Sequence, residues 1–132
     1  MTHPCFCTLL RQAARRTSTI YDEALAPLGI NVAQFSLLRR LNRAGKLSLT
    51  ELARAAELDR STVGRNAKVL QRMELIAPVD GEDHRETKVG LTDKGRGILS
   101  RGAPLWDRAQ EEIETKLGND GADNLQALLR AL

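Results

Sequence analysis

Two helix-start signals set close together constrain this chain more than any other feature. Ser48-Leu49-Thr50-Glu51 is a capping-box pattern. Its Ser oxygen can accept the backbone N–H three residues on, while its Glu reaches back to the Ser N–H. Leu49, Leu52, Ala53 and Ala56 follow at helical spacing, so the segment predicts a short amphipathic helix. Asp59 is placed to cap a second helix over about 60–73. The turn between them is about three residues long, the tight connection of a helix-turn-helix. Such helices cross steeply and bury their apolar faces on other parts of the chain.

The flanks supply those parts. A first helix is predicted over about 8–27, with Leu10, Ala13, Ala14, Thr17, Ile20, Tyr21, Ala24 and Leu28 along one stripe. That stripe is longer than a small domain covers by itself. Leu28-Gly29-Ile30 is a break. Asn31 then caps a helix, with Gln34 completing another capping box, and Gly45 ends it. Beyond the paired helices, 75–79 and 87–91 read as two strands around a polar loop, with Pro78 at an edge or a strand end. Thr92 caps a long helix over about 93–117, where Gly102 and Pro104 predict a kink. Gly118 stops it, and Asn119 or Asp120 caps a last helix carrying Leu125, Leu128, Leu129 and Leu132. Phe6, Tyr21, Phe35 and Trp106 are the only aromatics, so the core is aliphatic and favours helices. The expected fold class is mainly α with a small β-hairpin wing: a winged helix-turn-helix in a single domain over 1–132.

The helix over 60–73 carries the functional signal. Val63, Ala67 and Leu70 point one way; Ser61, Arg65, Lys68 and Arg72 point the other, with Thr62 and Asn66 beside them. From Arg60 to Arg72 there are four basic residues and no acid. A face of hydroxyl, amide and guanidinium groups suits a DNA major groove. Arg forks onto guanine, Asn reads adenine, and Ser or Thr takes a phosphate or a base edge. Gly64 would let the backbone come close. In the hairpin loop, Arg85 can enter a minor groove, with Asp83 holding its guanidinium. Net charge is only +3, so the distribution matters more than the sum.

The run Leu58-Asp59-Arg60-Ser61-Thr62-Val63, the hairpin's Asp83-His84-Arg85, and Val89-Gly90-Leu91-Thr92-Asp93-Lys94-Gly95 resemble the MarR family of bacterial transcription regulators. Leu28-Gly29-Ile30 with Gln34-Phe35 resembles that family's entry to its second helix. The resemblance covers nearly the whole chain. It implies a homodimer interlocked through the first, fifth and sixth helices, so that 1–30 and 93–132 are dimerisation helices and 31–92 is the winged helix-turn-helix. It also implies binding to pseudopalindromic double-stranded DNA, with Arg85 as the wing residue. A repressor released by a thiol oxidant or a small molecule is the expected function. The expected DNA-contacting residues are Arg60, Ser61, Thr62, Arg65, Asn66, Lys68, Arg72 and Arg85. Gly64 departs from the family, which more often has Ser or Thr there.

Cys5 and Cys7 admit three readings. Cys7 and Tyr21 match a reactive cysteine and a tyrosine of the family's organic-hydroperoxide-sensing (OhrR-type) branch, but Arg11 and Val32 stand where that branch has further tyrosines. The pair would then be a redox sensor, with Cys7 activated at the helix start and by Arg11. Alternatively the two are an inert tail pair, or they bind a metal with His3, although three ligands fall short of the usual four. No metal or other cofactor is expected. Two other functions remain open: a winged-helix module for protein contacts, which needs no basic face, and a thiol peroxidase using Cys7, for which no general base is evident. No apolar run reaches the roughly 18 residues of a membrane span, and no signal peptide is legible. The expected location is the cytoplasm.

Overall fold

The helix starts read from the sequence at Asn31, Ser48 and Thr92 form as hydrogen-bonded caps. The structure, a computed structural model, describes residues 2–79 and 87–132. The order is α1 (Phe6–Leu25), a 3-10 turn (Ala26–Leu28), α2 (Val32–Ala44), β1 (Leu47–Ser48), α3 (Leu49–Ala56), α4 (Arg60–Arg72), β2 (Ile76–Val79), β3 (Lys88–Leu91), α5 (Asp93–Leu117) and α6 (Asn119–Arg130). Both capping boxes are reciprocal. Gln34 N–H donates to Asn31 Oδ1 at 2.9 Å and Asn31 N–H to Gln34 Oε1 at 3.1 Å. Glu51 N–H donates to Ser48 Oγ and Ser48 N–H to Glu51 Oε1, each at 3.1 Å. These bonds, with Lys88 3.5 Å away, hold the Glu51 carboxyl below its ordinary pKa; the Ser48 backbone N–H is the largest cause.

Three features differ from expectation. The first is a third strand. β1 pairs with β3 (Leu47 opposite Val89), so the sheet runs β1-β3-β2, all antiparallel. The second is the start of α4: Asp59 occupies the cap position, but its side chain makes no capping bond. The third is the start of α6, where Gly118, at φ 78°, ends α5 and begins α6 with no side-chain cap from Asn119 or Asp120. α5 is continuous through Gly102 and Pro104. Gly102 is there for contact: it is buried against Phe35, and a Cβ would overlap that ring.

The core sits among α2, α3, α4 and the sheet. Leu37, Leu38, Leu41, Leu52, Val63, Leu70, Leu75 and Val89 are all buried in it. A latch joins its two ends. The Thr92 hydroxyl donates to the Glu74 carbonyl at 2.6 Å and accepts from Gly95 N–H at 3.0 Å; Thr92 N–H donates to the Leu75 carbonyl at 3.1 Å. The segment that ends α4 is therefore bonded to the first turn of α5. α1 lies along α5, and α6 returns onto it. No helix among the described residues is long and apolar enough to cross a membrane.

Candidate nucleic-acid interface

α4 is held by its inner face and presents its outer one. Val63, Ala67 and Leu70 are fully buried, while Arg60, Ser61, Arg65, Lys68 and Arg72 are exposed and Thr62, Gly64 and Asn66 half-buried. The turn before it is tight. Glu57 takes a left-handed conformation, φ 54°, and Leu58 N–H donates to the Ala53 carbonyl at 3.0 Å. This fixes how α3 delivers the chain into α4. Arg65 Nη2 donates to Thr62 Oγ1 at 3.3 Å, and Arg60 Nε to Thr50 Oγ1 at 3.2 Å. None of these cations forms an ion pair among the described residues. A Cβ built on Gly64 meets nothing within 4 Å, so packing does not demand glycine there. The structure thus brings together Ser61, Arg65, Lys68 and Arg72 on one open face, with Thr62 and Asn66 at its edge and Arg60 turned toward Thr50. Asp83, His84 and Arg85 lie outside the described residues.

The cysteines stand apart from that face, at the other end of the fold. Cys5 is the N-cap of α1 and Cys7 lies just inside it; both are free and exposed. The thiol drawn below its ordinary pKa is Cys5, first by the Thr8 hydroxyl and then by the backbone N–H groups of Thr8 and Cys7. Tyr21 does not meet Cys7, because α1 is unbroken between them. Instead its hydroxyl donates to Gln110 Oε1 of α5, and its ring lies 6.0 Å from that of Trp106. Burial, then the Glu114 carboxylate, raises the Tyr21 phenol above its ordinary value, against the pull of Arg39.

One feature escaped the sequence reading. Arg39 of α2 stacks over Trp106, 4.5 Å from the ring centroid. The two border a cavity of about 320 Å³ between α2 and α5, lined also by Phe35, Asn42, Arg43 and Leu99. Nothing in the sequence pairs Trp106 with Arg39, because the two are distant in the chain and share no periodic signal.

The sequence pattern of the MarR family matches residues 28–86, from the end of the 3-10 turn to the hairpin. The chain is 29% identical to the transcriptional repressor NicR of Pseudomonas putida over 125 residues, covering 94% of this chain and 77% of NicR. Among solved structures it is similar to the Mycobacterium tuberculosis transcriptional regulator MosR in complex with DNA. Identity there is 33% and the TM-score 0.79, over 97% of this chain and 98% of that one. A MarR mutant from Escherichia coli, complexed with operator DNA, superposes with a TM-score of 0.87 at 24% identity, covering 94% and 90%. The matched region contains α2, the paired helices α3 and α4 and the wing strand β2, and the fold likeness extends over α1, α5 and α6. The chain belongs to the MarR family.

Proposed function

We propose that the chain is a homodimeric transcriptional repressor that binds pseudopalindromic double-stranded DNA through α4 and the β2–β3 hairpin. The observation that carries this reading is the open face of α4, where Ser61, Arg65, Lys68 and Arg72 are exposed opposite a fully buried Val63 and Leu70. A protein-contact module would have no need of that unpaired cationic face. The relatives crystallised with DNA support the same partner. The test is selection of duplexes from a random-sequence library on the purified protein. Enrichment of an inverted repeat, bound with strong salt dependence, is expected. Failure to enrich any sequence over random duplex overturns the reading.

For the releasing signal, two observations favour different agents. The α2–α5 cavity, where Arg39, Arg43 and Asp107 surround Trp106, favours a small planar aromatic molecule. The exposed Cys5 and Cys7 at the start of α1 favour an oxidant, with Cys5 at the cap position itself. Peroxide treatment separates them. Loss of DNA binding that dithiothreitol restores, and that Cys5→Ser abolishes, is the outcome of a thiol sensor. Unchanged affinity with both thiols oxidised leaves the cysteines out of the signal.

A further inference from the structure

A polar cleft of about 480 Å³ opens between the start of α3, α4 and β3. It is lined by Ser48, Thr50, Arg60, Gln71 and Thr87, with Leu49 and Val89 as its apolar part. Arg60 is the cation of this cleft, and its posture is fixed: Nε donates to Thr50 Oγ1 at 3.2 Å, across two helices. That bond uses one of the five guanidinium donors and leaves the terminal amino groups unspent. The nearest helix carboxylate does not compete for them. Glu51 is engaged by the Ser48 N–H and hydroxyl and by Lys88. Asp59, next to Arg60 in sequence, makes no ion pair with it among the described residues. The remaining groups at the cleft, the hydroxyls of Thr50 and Thr87 and the Gln71 amide, can each donate a hydrogen bond.

A guanidinium fork with hydroxyl and amide groups around it is complementary to a phosphate oxygen pair, and the bond to Thr50 turns this one toward α3. We propose that Arg60, held by Thr50, clamps one backbone phosphodiester per half-site in this cleft, supplying affinity and register but no sequence discrimination. Base reading is then left to Arg65 and Asn66, farther along α4. The clamp rests on the DNA-binding reading above. A hydroxyl on the neighbouring helix pre-pays the ordering of the arginine side chain, so Thr50 is a positioning residue and Arg60 the contact.

The probe is the inverted-repeat duplex enriched from the random library, made with single neutral methylphosphonate linkages at successive positions. In the wild type, one position per half-site should cost roughly tenfold in Kd through a lost charged hydrogen bond. That loss should vanish in Arg60→Ala and shrink in Thr50→Val. Arg60→Ala should weaken the enriched and a scrambled duplex by the same factor, with the salt slope lower by about one per subunit. Thermal melting of each variant checks that it is folded. The clamp is overturned if no linkage couples to Arg60, or if Arg60→Ala lowers the ratio of enriched to scrambled binding. Where the wild type enriches a sequence and Arg65→Ala abolishes the preference, such a result removes the clamp alone. Where nothing is enriched at all, the DNA-binding reading falls and the clamp with it.

Discussion

At Gly95 a single missing methyl group decides how two helices are joined. A Cβ there would collide with the Leu75 carbonyl oxygen, which itself accepts the Thr92 N–H. Neither partner is a flexible side-chain end, so Gly95→Ala must push the first turn of α5 away from the end of α4. The expected cost is about 1–3 kcal/mol, the range of overpacked cores, read as a lowered midpoint in urea. Gly97, two residues on in the same helix, is the control, since a Cβ there meets nothing within 4 Å. Gly97→Ala should be neutral or gain up to about 1 kcal/mol from helix propensity. The sequence made Thr92-x-x-Gly95 visible as a motif, and Thr92 as a cap. It could not show that the glycine is set by a carbonyl from a distant turn, because that contact has no local signature. The cysteines teach a similar point. Their presence at a helix start was legible, but which of the two occupies the cap depends on where α1 begins, and element ends are the least determined part of any pattern.

At the scale of elements, α4 was read almost fully, because its apolar stripe and its basic stripe are both periodic and each agrees with the other. β1 was missed because two residues cannot display alternation, and Ser48 had already been assigned as a cap; it serves as both. The two faces of α4 predict a division of labour. Arg65 stands on the outer face beside Asn66, and Arg65→Ala should cost roughly 1–3 kcal/mol on the enriched duplex and blunt its discrimination against scrambled DNA. Lys68 and Arg72 lie farther along the same face. Lys68→Ala or Arg72→Ala should weaken all duplexes more evenly and lower the salt slope by about one each. Equal loss of discrimination in all three variants would mean that α4 does not lie in the groove by its N-terminal half. Since none of these side chains supports the core, their melting curves should match the wild type.

The whole molecule leaves more apolar helix surface uncovered than a single chain of this size tolerates. α6 has no buried residue, and Leu125, Leu128, Leu129 and Leu132 are exposed by 39%, 67%, 45% and 90%. At the far end of α1, Phe6, Leu9 and Leu10 are exposed by 65%, 43% and 40%, and Leu25 is the one residue of that helix fully buried. Leu10 and the four leucines of the last helix are positions whose periodicity predicts a buried stripe, so the sequence points to burial that one chain does not deliver. A second copy resolves the conflict. Its helices would fill the groove between α1, α5 and α6, where Tyr21, Ile113, Leu117 and Leu129 meet. Each leucine so covered would contribute a share of the roughly 1.5–3 kcal/mol of full burial, in proportion to the area it still exposes. An interface above about 2,000 Å² in total is expected, in the range of obligate dimers. Sedimentation equilibrium should therefore give a dimer at micromolar concentration, with a melting midpoint that rises with protein concentration. Removing residues 119–132 should yield aggregate or unfolded chain. A well-folded monomer from either the full or the shortened chain would overturn the dimer.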